Sequence, residues 1–276
     1  MAASLISSVG TWNQRQCAKL FAGFLLWSAA VLVLWSAGRL FEETGRWWAG
    51  GFVALQLFGA AQLLLPALRL QPAKRSRFFY LFWALALLLG IWLLHRPFPV
   101  PVWQPVLTIV QSAFLLGGAT LVGATLGRYL QRLWEIIPVC LVMGMADFAS
   151  WFGGPTAGFS EEIQTYYLAP EGPVPLVDML LVKLAFPGPA GMAPVFGVSD
   201  WIMAAFFAVV ARRYAINDNL LGASGRAGRY LPVSVGALFA AILLAQTSGH
   251  FVPALPLMAL AVLCWFGVAF LRRHKS

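Results

Sequence analysis

Two aspartates lie inside long apolar runs and are the residues of this chain best suited to chemistry. Asp147 stands in VCLVMGMADFASWF and Asp200 in FGVSDWIMAAFF. An aspartate at the centre of a bilayer costs roughly 2.5 to 3.5 kcal/mol, so it usually has a partner or a function. Two carboxyl groups held close together cannot both ionise cheaply, so one keeps its proton while the other is charged. Such a pair can activate water with one member and polarise an amide carbonyl with the other.

The composition around these acids predicts an integral membrane protein. The 276 residues are 60% hydrophobic and 11% charged, which is more apolar surface than a soluble domain of this size can bury. The net charge of +9 comes from Lys and Arg in short clusters between apolar runs, which indicates topology signals and argues against a nucleic-acid partner. Cys17, Cys140 and Cys264 are widely separated, with no histidine at metal-ligand spacing, so we expect no metal and no cofactor.

Eight apolar windows are long enough to be membrane-spanning helices, because the hydrocarbon core of a bilayer needs roughly 20 helical residues. We therefore expect an all-α multi-pass membrane protein with about eight helices, or nine. We divide it into a four-helix membrane scaffold, residues 1–130, and a half that carries both aspartates, residues 131–276. The windows are residues 18–38, 47–70, 78–94, 102–127, 131–152, 196–212, 230–248 and 252–271.

The basic clusters predict the orientation of the chain. Lys and Arg precede the first window and follow the second, fourth, sixth and eighth, so these connections lie on one side. By the positive-inside rule both termini are cytoplasmic, and the long connection 153–195 lies outside. Within that connection LVDMLLVKLAF, Leu176 to Phe186, is too short to span and predicts a half-wet interfacial helix.

The window boundaries place the two aspartates at one level. Asp147 comes about five residues before its window ends and Asp200 about four after its window begins, so each lies roughly 6 to 8 Å inside the outer face. We expect two adjacent antiparallel helices to bring the carboxyl groups together. Small residues on the aspartate faces would allow a close approach of the two backbones. They are Cys140, Gly144, Ala204 and Ala211.

Other interpretations stand beside this one. An acid in the first turn favours the positive end of the helix dipole, so Asp200 is also suited to capping its helix. Asp147 is also suited to a structural hydrogen bond between helices. A proton-coupled transporter would use the same residue type, although it should repeat broken helices in both halves and corresponding acids occur only in the second half.

A third motif opens the last window, where Pro253, Ala254, Leu255 and Pro256 spell PALP. The order is an Asp on one helix, a Gly-x-x-Asp opening the next after a long loop, and PALP at the start of the final helix. This order resembles the presenilin and signal peptide peptidase family of intramembrane aspartyl proteases. The resemblance covers residues 134–270, about half of the chain.

The resemblance implies a presenilin-like second half that cleaves transmembrane helices or signal-peptide remnants within the lipid bilayer. It implies that Asp147 and Asp200 are catalytic and that PALP packs against the catalytic centre. It also assigns Gly197, Val198 and Ser199 to the second aspartate motif. The orientation matches the signal peptide peptidase branch, which favours substrates with a cytoplasmic N-terminus in a bacterial or archaeal cell membrane.

Two motif residues depart from the family pattern. Ala146 stands where the family has tyrosine, and Ser199 where it has glycine. A helix-binding pseudoprotease without activity would retain the same two acids and is the main alternative. The run Gly222 to Gly225 (GASG) resembles the GxSG of rhomboid serine proteases. It lies in a basic cytoplasmic loop, on the opposite side of the membrane from His250, and this argues against a serine protease.

Overall fold

The structure is a computed structural model that describes residues 2–41, 46–69, 85, 89–93, 103–169, 174–188, 191–222, 228–249 and 252–273. Its principal α-helices are α1 (Ala2–Gly38), α2 (Arg46–Arg69), α3 (Gln104–Gly127), α4 (Ile136–Gly153), α5 (Pro155–Leu168), α6 (Val198–Arg213), α7 (Val233–Ser248) and α8 (Ala254–Arg273). Two strands, β1 (Leu181–Ala185) and β2 (Met192–Gly197), precede α6. Short 3-10 helices, Leu133–Glu135 and Leu176–Leu180, lead into α4 and β1.

Five helical segments in the described part of the chain are long and apolar enough to cross a membrane. They match the first, second, fourth, fifth and last predicted windows. The prediction of a helical membrane protein is therefore confirmed in this coarse form. The third window, 78–94, falls mostly outside the described residues. The five segments are Gln14–Gly38, Trp47–Arg69, Gln104–Gly127, Leu133–Gly153 and Ala254–Leu271.

The sixth and seventh windows form helices of only 16 residues each, α6 and α7. A helix of that length extends about 24 Å, less than the hydrocarbon thickness of about 30 Å. α6 begins later than predicted because the residues before Val198 belong to β2. It is buried at Trp201 and throughout 204–211, so protein rather than lipid surrounds it and its length need not match the bilayer.

The segment Leu176–Phe186, predicted as one interfacial helix, instead forms the 3-10 helix Leu176–Leu180 and the first strand of a β-hairpin, so the prediction of a continuous helix is wrong. β1 and β2 pair antiparallel, with Leu181 opposite Gly197. The turn between them uses Gly188 and Gly191 at φ values of 84° and 62°, which glycine adopts without steric cost. A short apolar run has the same composition in a strand and in a helix, and here the glycine turn and the second strand decide between them.

Buried polar side chains of α2 and α3 hold this hairpin. Gln56 donates from Nε2 to the Ala185 carbonyl at 2.8 Å, and its Oε1 accepts from the Ala185 amide at 2.8 Å. The Lys183 amide donates to Ser112 Oγ at 3.0 Å. Leaving such groups unpaired in an apolar interior would cost about 1 to 3 kcal/mol each. The helices of the first half therefore position the segment that leads to Asp200.

α3 and α6 pack closely enough that glycine is required between them. A Cβ on Gly123 would lie 2.2 Å from the carbonyl oxygen of Ile202. Trp201, which is fully buried, donates from Nε1 to Thr120 Oγ1 at 2.9 Å. One hydrophobic core thus extends across the boundary predicted at residue 130. The two predicted halves therefore share a core, and their division into a scaffold and an aspartate-bearing half stays a prediction about function.

Candidate active site

Asp200 is the third residue of α6 and lies where β2 runs into the helix. Its Oδ2 accepts a hydrogen bond from the Gly197 amide at 2.9 Å. The capping interpretation of Asp200 therefore describes a real contact. A carboxylate has two oxygens with about four acceptor positions, so this bond leaves most of its capacity for other partners.

Asp147 lies on α4, six residues before the helix ends at Gly153, and is partly buried. The backbone amide of Leu255 lies close enough to this carboxylate to favour its charged form. Amides in the first turn of a helix have no partner within that helix, and Pro253 and Pro256 have no N–H at all. The PALP segment thus directs one of its remaining donors at Asp147.

The structure brings the two carboxyl groups within electrostatic range of each other. The expected contact between the small residues of their helices is wrong, however, because α4 packs mainly on α8 and α5. A Cβ on Gly144 would lie 3.9 Å from Pro256 Cα, and the Ala204 carbonyl accepts from Ser234 Oγ of α7. α8 and the hairpin therefore bring the acids together, through the ends of α4 and α6.

The motif residues around Asp200 leave space beside its carboxylate. Gly197 has φ −77° and ψ 156°, an extended conformation open to any residue, so its function is steric. A Cβ there would lie 3.6 Å from Asp200 Oδ2 and 3.3 Å from Ser199 Oγ. Ser199 is exposed, in the first helical turn, and has no positive φ that would require glycine. Val198 packs against the core, which anchors the motif.

Ala146, the other departure from the family pattern, is exposed on α4 next to Asp147. Within the described residues no group of three His, Cys, Asp or Glu side chains could hold a metal ion. Residues 223–227 of the GASG loop and His250 lie outside the described part of the chain.

Sequence reasoning missed a buried ion pair beside the hairpin. Asp178 is fully buried, and its Oδ2 accepts from the Lys183 ammonium. Its Oδ1 accepts from the Tyr167 hydroxyl of α5 at 3.0 Å. Burial, and then the adjacent Asp178 charge, raise the pKa of Tyr167, so its hydroxyl keeps the proton that it donates. An acid and a base five residues apart in an apolar segment were the available signal, which we interpreted as a wet helix face.

Comparison of the chain with protein-family models, with curated proteins and with solved structures finds no match. The case for a function therefore rests on the sequence motifs and on the geometry around Asp147 and Asp200.

Proposed function

We propose that this protein is an intramembrane aspartyl protease that cleaves transmembrane helices with Asp147 and Asp200. The observation that supports this most is that two carboxyl groups on separate apolar helices lie within electrostatic range of each other, with a PALP amide close to one of them. A purely structural acid needs only one partner, and each aspartate already has a backbone donor nearby. A structural role alone would therefore not require the second carboxyl group close by. Two acids that interact electrostatically in this way are suited to general acid and base catalysis.

In the proposed reaction, the ionised carboxylate takes a proton from a water molecule whose oxygen attacks the scissile carbonyl carbon. The protonated partner donates its proton to the carbonyl oxygen, which gives a neutral tetrahedral diol. The diol collapses as one hydroxyl returns its proton to a carboxylate and the other aspartate protonates the leaving nitrogen. The products are a carboxylic acid and an amine, and one proton again remains on the pair.

A substrate helix must unwind before water can reach its carbonyl groups, and β2 lies in a position to receive the unwound strand. Within the described residues β2 pairs with β1, and it ends at Gly197 beside Asp200. The other edge of β2 can offer main-chain donors and acceptors to an extended peptide. This binding mode recognises the main chain of the substrate rather than its side chains, which suits an enzyme for apolar substrates of varied sequence.

The proposal includes the predicted topology of eight or nine spans with cytoplasmic termini in a cell membrane. Arg128 donates from Nη2 to the Ala67 carbonyl at 3.2 Å, and Arg213 donates to the Arg128 carbonyl. These contacts gather the C-terminal ends of α2, α3 and α6 on one side, together with their basic residues, as the positive-inside rule requires. Asp147 lies toward the C-terminal end of α4 and Asp200 toward the N-terminal end of α6. By the resemblance to signal peptide peptidases, this orientation implies substrates with a cytoplasmic N-terminus.

The test is cleavage of a model transmembrane peptide by purified protein in proteoliposomes. We expect cleavage by the wild type and a loss of roughly a hundredfold or more in Asp147→Asn and in Asp200→Asn. Glu135→Gln is the matched control, since it neutralises a partly exposed carboxylate in the short 3-10 helix before α4, on the opposite side of the membrane.

Equal cleavage by the wild type and either asparagine variant would refute the proposal. A wild type that retains the peptide without cutting it would indicate a helix-binding pseudoprotease. Proton-coupled solute uptake that both asparagine variants abolish would indicate a transporter.

A further inference from the structure

The Asp178 carboxylate joins two parts of the chain that each lead to one aspartate of the pair. On one side it accepts from Tyr167, and on the other from Lys183. Asp178 has no exposed surface, so both bonds form in an environment where charge is weakly screened. The two hydrogen bonds are therefore strong, and losing one of them would leave a buried polar group at a cost in stability.

The Tyr167 side of the link leads to Asp147. Tyr167 is on α5, which follows α4 after Gly154 alone. The junction is compact, because a Cβ on Gly154 would lie 2.6 Å from Ser150 Cα, and α4 and α5 also contact each other. A displacement of α5 is therefore transmitted to the end of α4 that carries Asp147.

The Lys183 side of the link leads to Asp200. Lys183 lies in β1 opposite Pro194 of β2. β2 ends at Gly197, whose amide donates a hydrogen bond to Asp200. The Lys183 amide is itself fixed to Ser112 of α3. The hairpin is thus anchored in the bundle, whereas α5 packs mainly on α4.

We propose that Asp178 is a positioning residue that holds α5 against the hairpin and so fixes the separation of Asp147 and Asp200. Its effect on catalysis rests on the proposed function, whereas the mechanical link between α5 and the hairpin does not. α4 needs such a link because it contributes few side chains to the core. The contact of Leu255 with Asp147 restrains one face of α4, and the Asp178 link restrains its outer end.

Three substitutions break the link to different degrees. Lys183→Met removes the cationic partner of the buried Asp178 carboxylate and is the most damaging to folding. Asp178→Asn is milder, because Lys183 borders a cavity of about 260 Å³ in which water can hydrate the ammonium. Tyr167→Phe removes one hydroxyl from a partly exposed residue and is the variant most certain to fold. Tyr166→Phe makes the same chemical change one residue earlier on α5 and is the matched control.

The kinetic test uses the full-length protein and the transmembrane peptide substrate. We expect Tyr167→Phe and Asp178→Asn to lower kcat roughly ten- to a hundredfold with little change in KM, because small misplacements of reacting groups have effects of this size. We also expect a narrower bell-shaped pH dependence, since the width of the bell reports how strongly the two acids interact. Loss of folded protein alone would scale the profile without changing its shape. Tyr166→Phe should match the wild type.

A distance measurement tests the link without any catalysis. Spin labels on Leu168→Cys and Leu176→Cys flank it, at positions that are 84% and 74% exposed, in a protein whose three native cysteines are replaced. We expect a narrow distance distribution for the wild-type link and for Tyr166→Phe, and a broader one for Tyr167→Phe and Asp178→Asn. Unchanged distances in Tyr167→Phe would overturn the proposal, as would unchanged pH profiles in an active enzyme. If the wild type cleaves nothing, the protease proposal fails while the distances still decide whether the link exists.

Discussion

The two helices that carry the aspartates are held in very different ways. Nine of the 16 residues of α6 are buried, against two of the 18 residues of α4. α6 packs on α3, α7 and α8, whereas α4 packs on α8 and α5 at the edge of the bundle. On the proposed function, Asp200 therefore belongs to a fixed platform and Asp147 to a helix whose outer surface faces lipid. The acid pair combines one rigid member with one that a few contacts hold in place.

Among the variants that test this comparison, Gly123→Ala should cause the largest loss of stability, because it forces α6 away from α3. The added Cβ would lie 2.2 Å from the Ile202 carbonyl oxygen, which belongs to backbone and cannot rotate away. We expect a loss of about 3 kcal/mol or more in the free energy of unfolding, or no folded protein. Denaturant titration in micelles measures this, and near wild-type stability would show that α6 is not a fixed platform.

Trp201→Phe should have the next largest effect. It removes a buried indole that donates to Thr120 Oγ1 and leaves a cavity beside an unpaired hydroxyl. We expect a loss of about 2 kcal/mol. Trp134→Phe is the counterpart next to α4, where the ring is 59% exposed, and it should change stability by less than about 0.5 kcal/mol. Equal losses in the two variants would remove the contrast between the helices.

The loop after the C-terminal end of α6 should make the free energy of unfolding depend on pH. Asp218, in the loop after α6, accepts from the Tyr230 hydroxyl at 3.1 Å, and burial raises its pKa from 3.8 to about 6. Because the folded carboxyl group holds its proton more tightly than the unfolded one, its contribution to stability is full below pH 3.8 and is lost as pH rises through about 6.

We expect Asp218→Asn to remove a pH-dependent difference on the order of 2 kcal/mol between pH 4 and pH 7. Thermal unfolding of both proteins across that range measures it. Glu135→Gln, just before the start of α4, should leave the wild-type dependence in place. Parallel curves for the wild type and Asp218→Asn would contradict the assignment.

Gly144→Ala should have the smallest effect, and it is the α4 counterpart of Gly123→Ala. Its Cβ would lie 3.9 Å from Pro256 Cα, an ordinary contact distance. We expect a change of less than about 0.5 kcal/mol in stability. A large loss here would mean that α4 is seated as tightly on α8 as α6 is on α3.

Much of this arrangement could be predicted from local sequence. Apolar windows of sufficient length predicted the five long helices, since a bilayer demands that length of any helix that crosses it. The isolation of two acids in apolar runs, together with PALP, was enough to select Asp147, Asp200 and Leu255. The structure places these three together, while their catalytic role stays a prediction.

The remainder depends on partners that are distant in the chain. Gln56 holds Ala185 across 129 residues, and no local pattern around Gln56 announces that role. The hairpin was mistaken for a helix because its second strand lies beyond a glycine turn. The route by which the acids meet was wrong as well, because small residues on α6 show only that some backbone comes close. They do not say that the neighbour of Ala204 is α7 rather than α4.

On the proposed function, the proximity of Leu255 to Asp147 also determines when the active site is completed during synthesis. Asp147 and Asp200 are both in the chain before the last helix is made, but the amide that fixes Asp147 arrives only with α8. A nascent chain halted before α8 would hold two acids in the membrane without that restraint. On the proposed function, the order of the segments delays assembly of the pair until α8 has been synthesised, so a chain without α8 lacks the completed site for cleaving neighbouring helices.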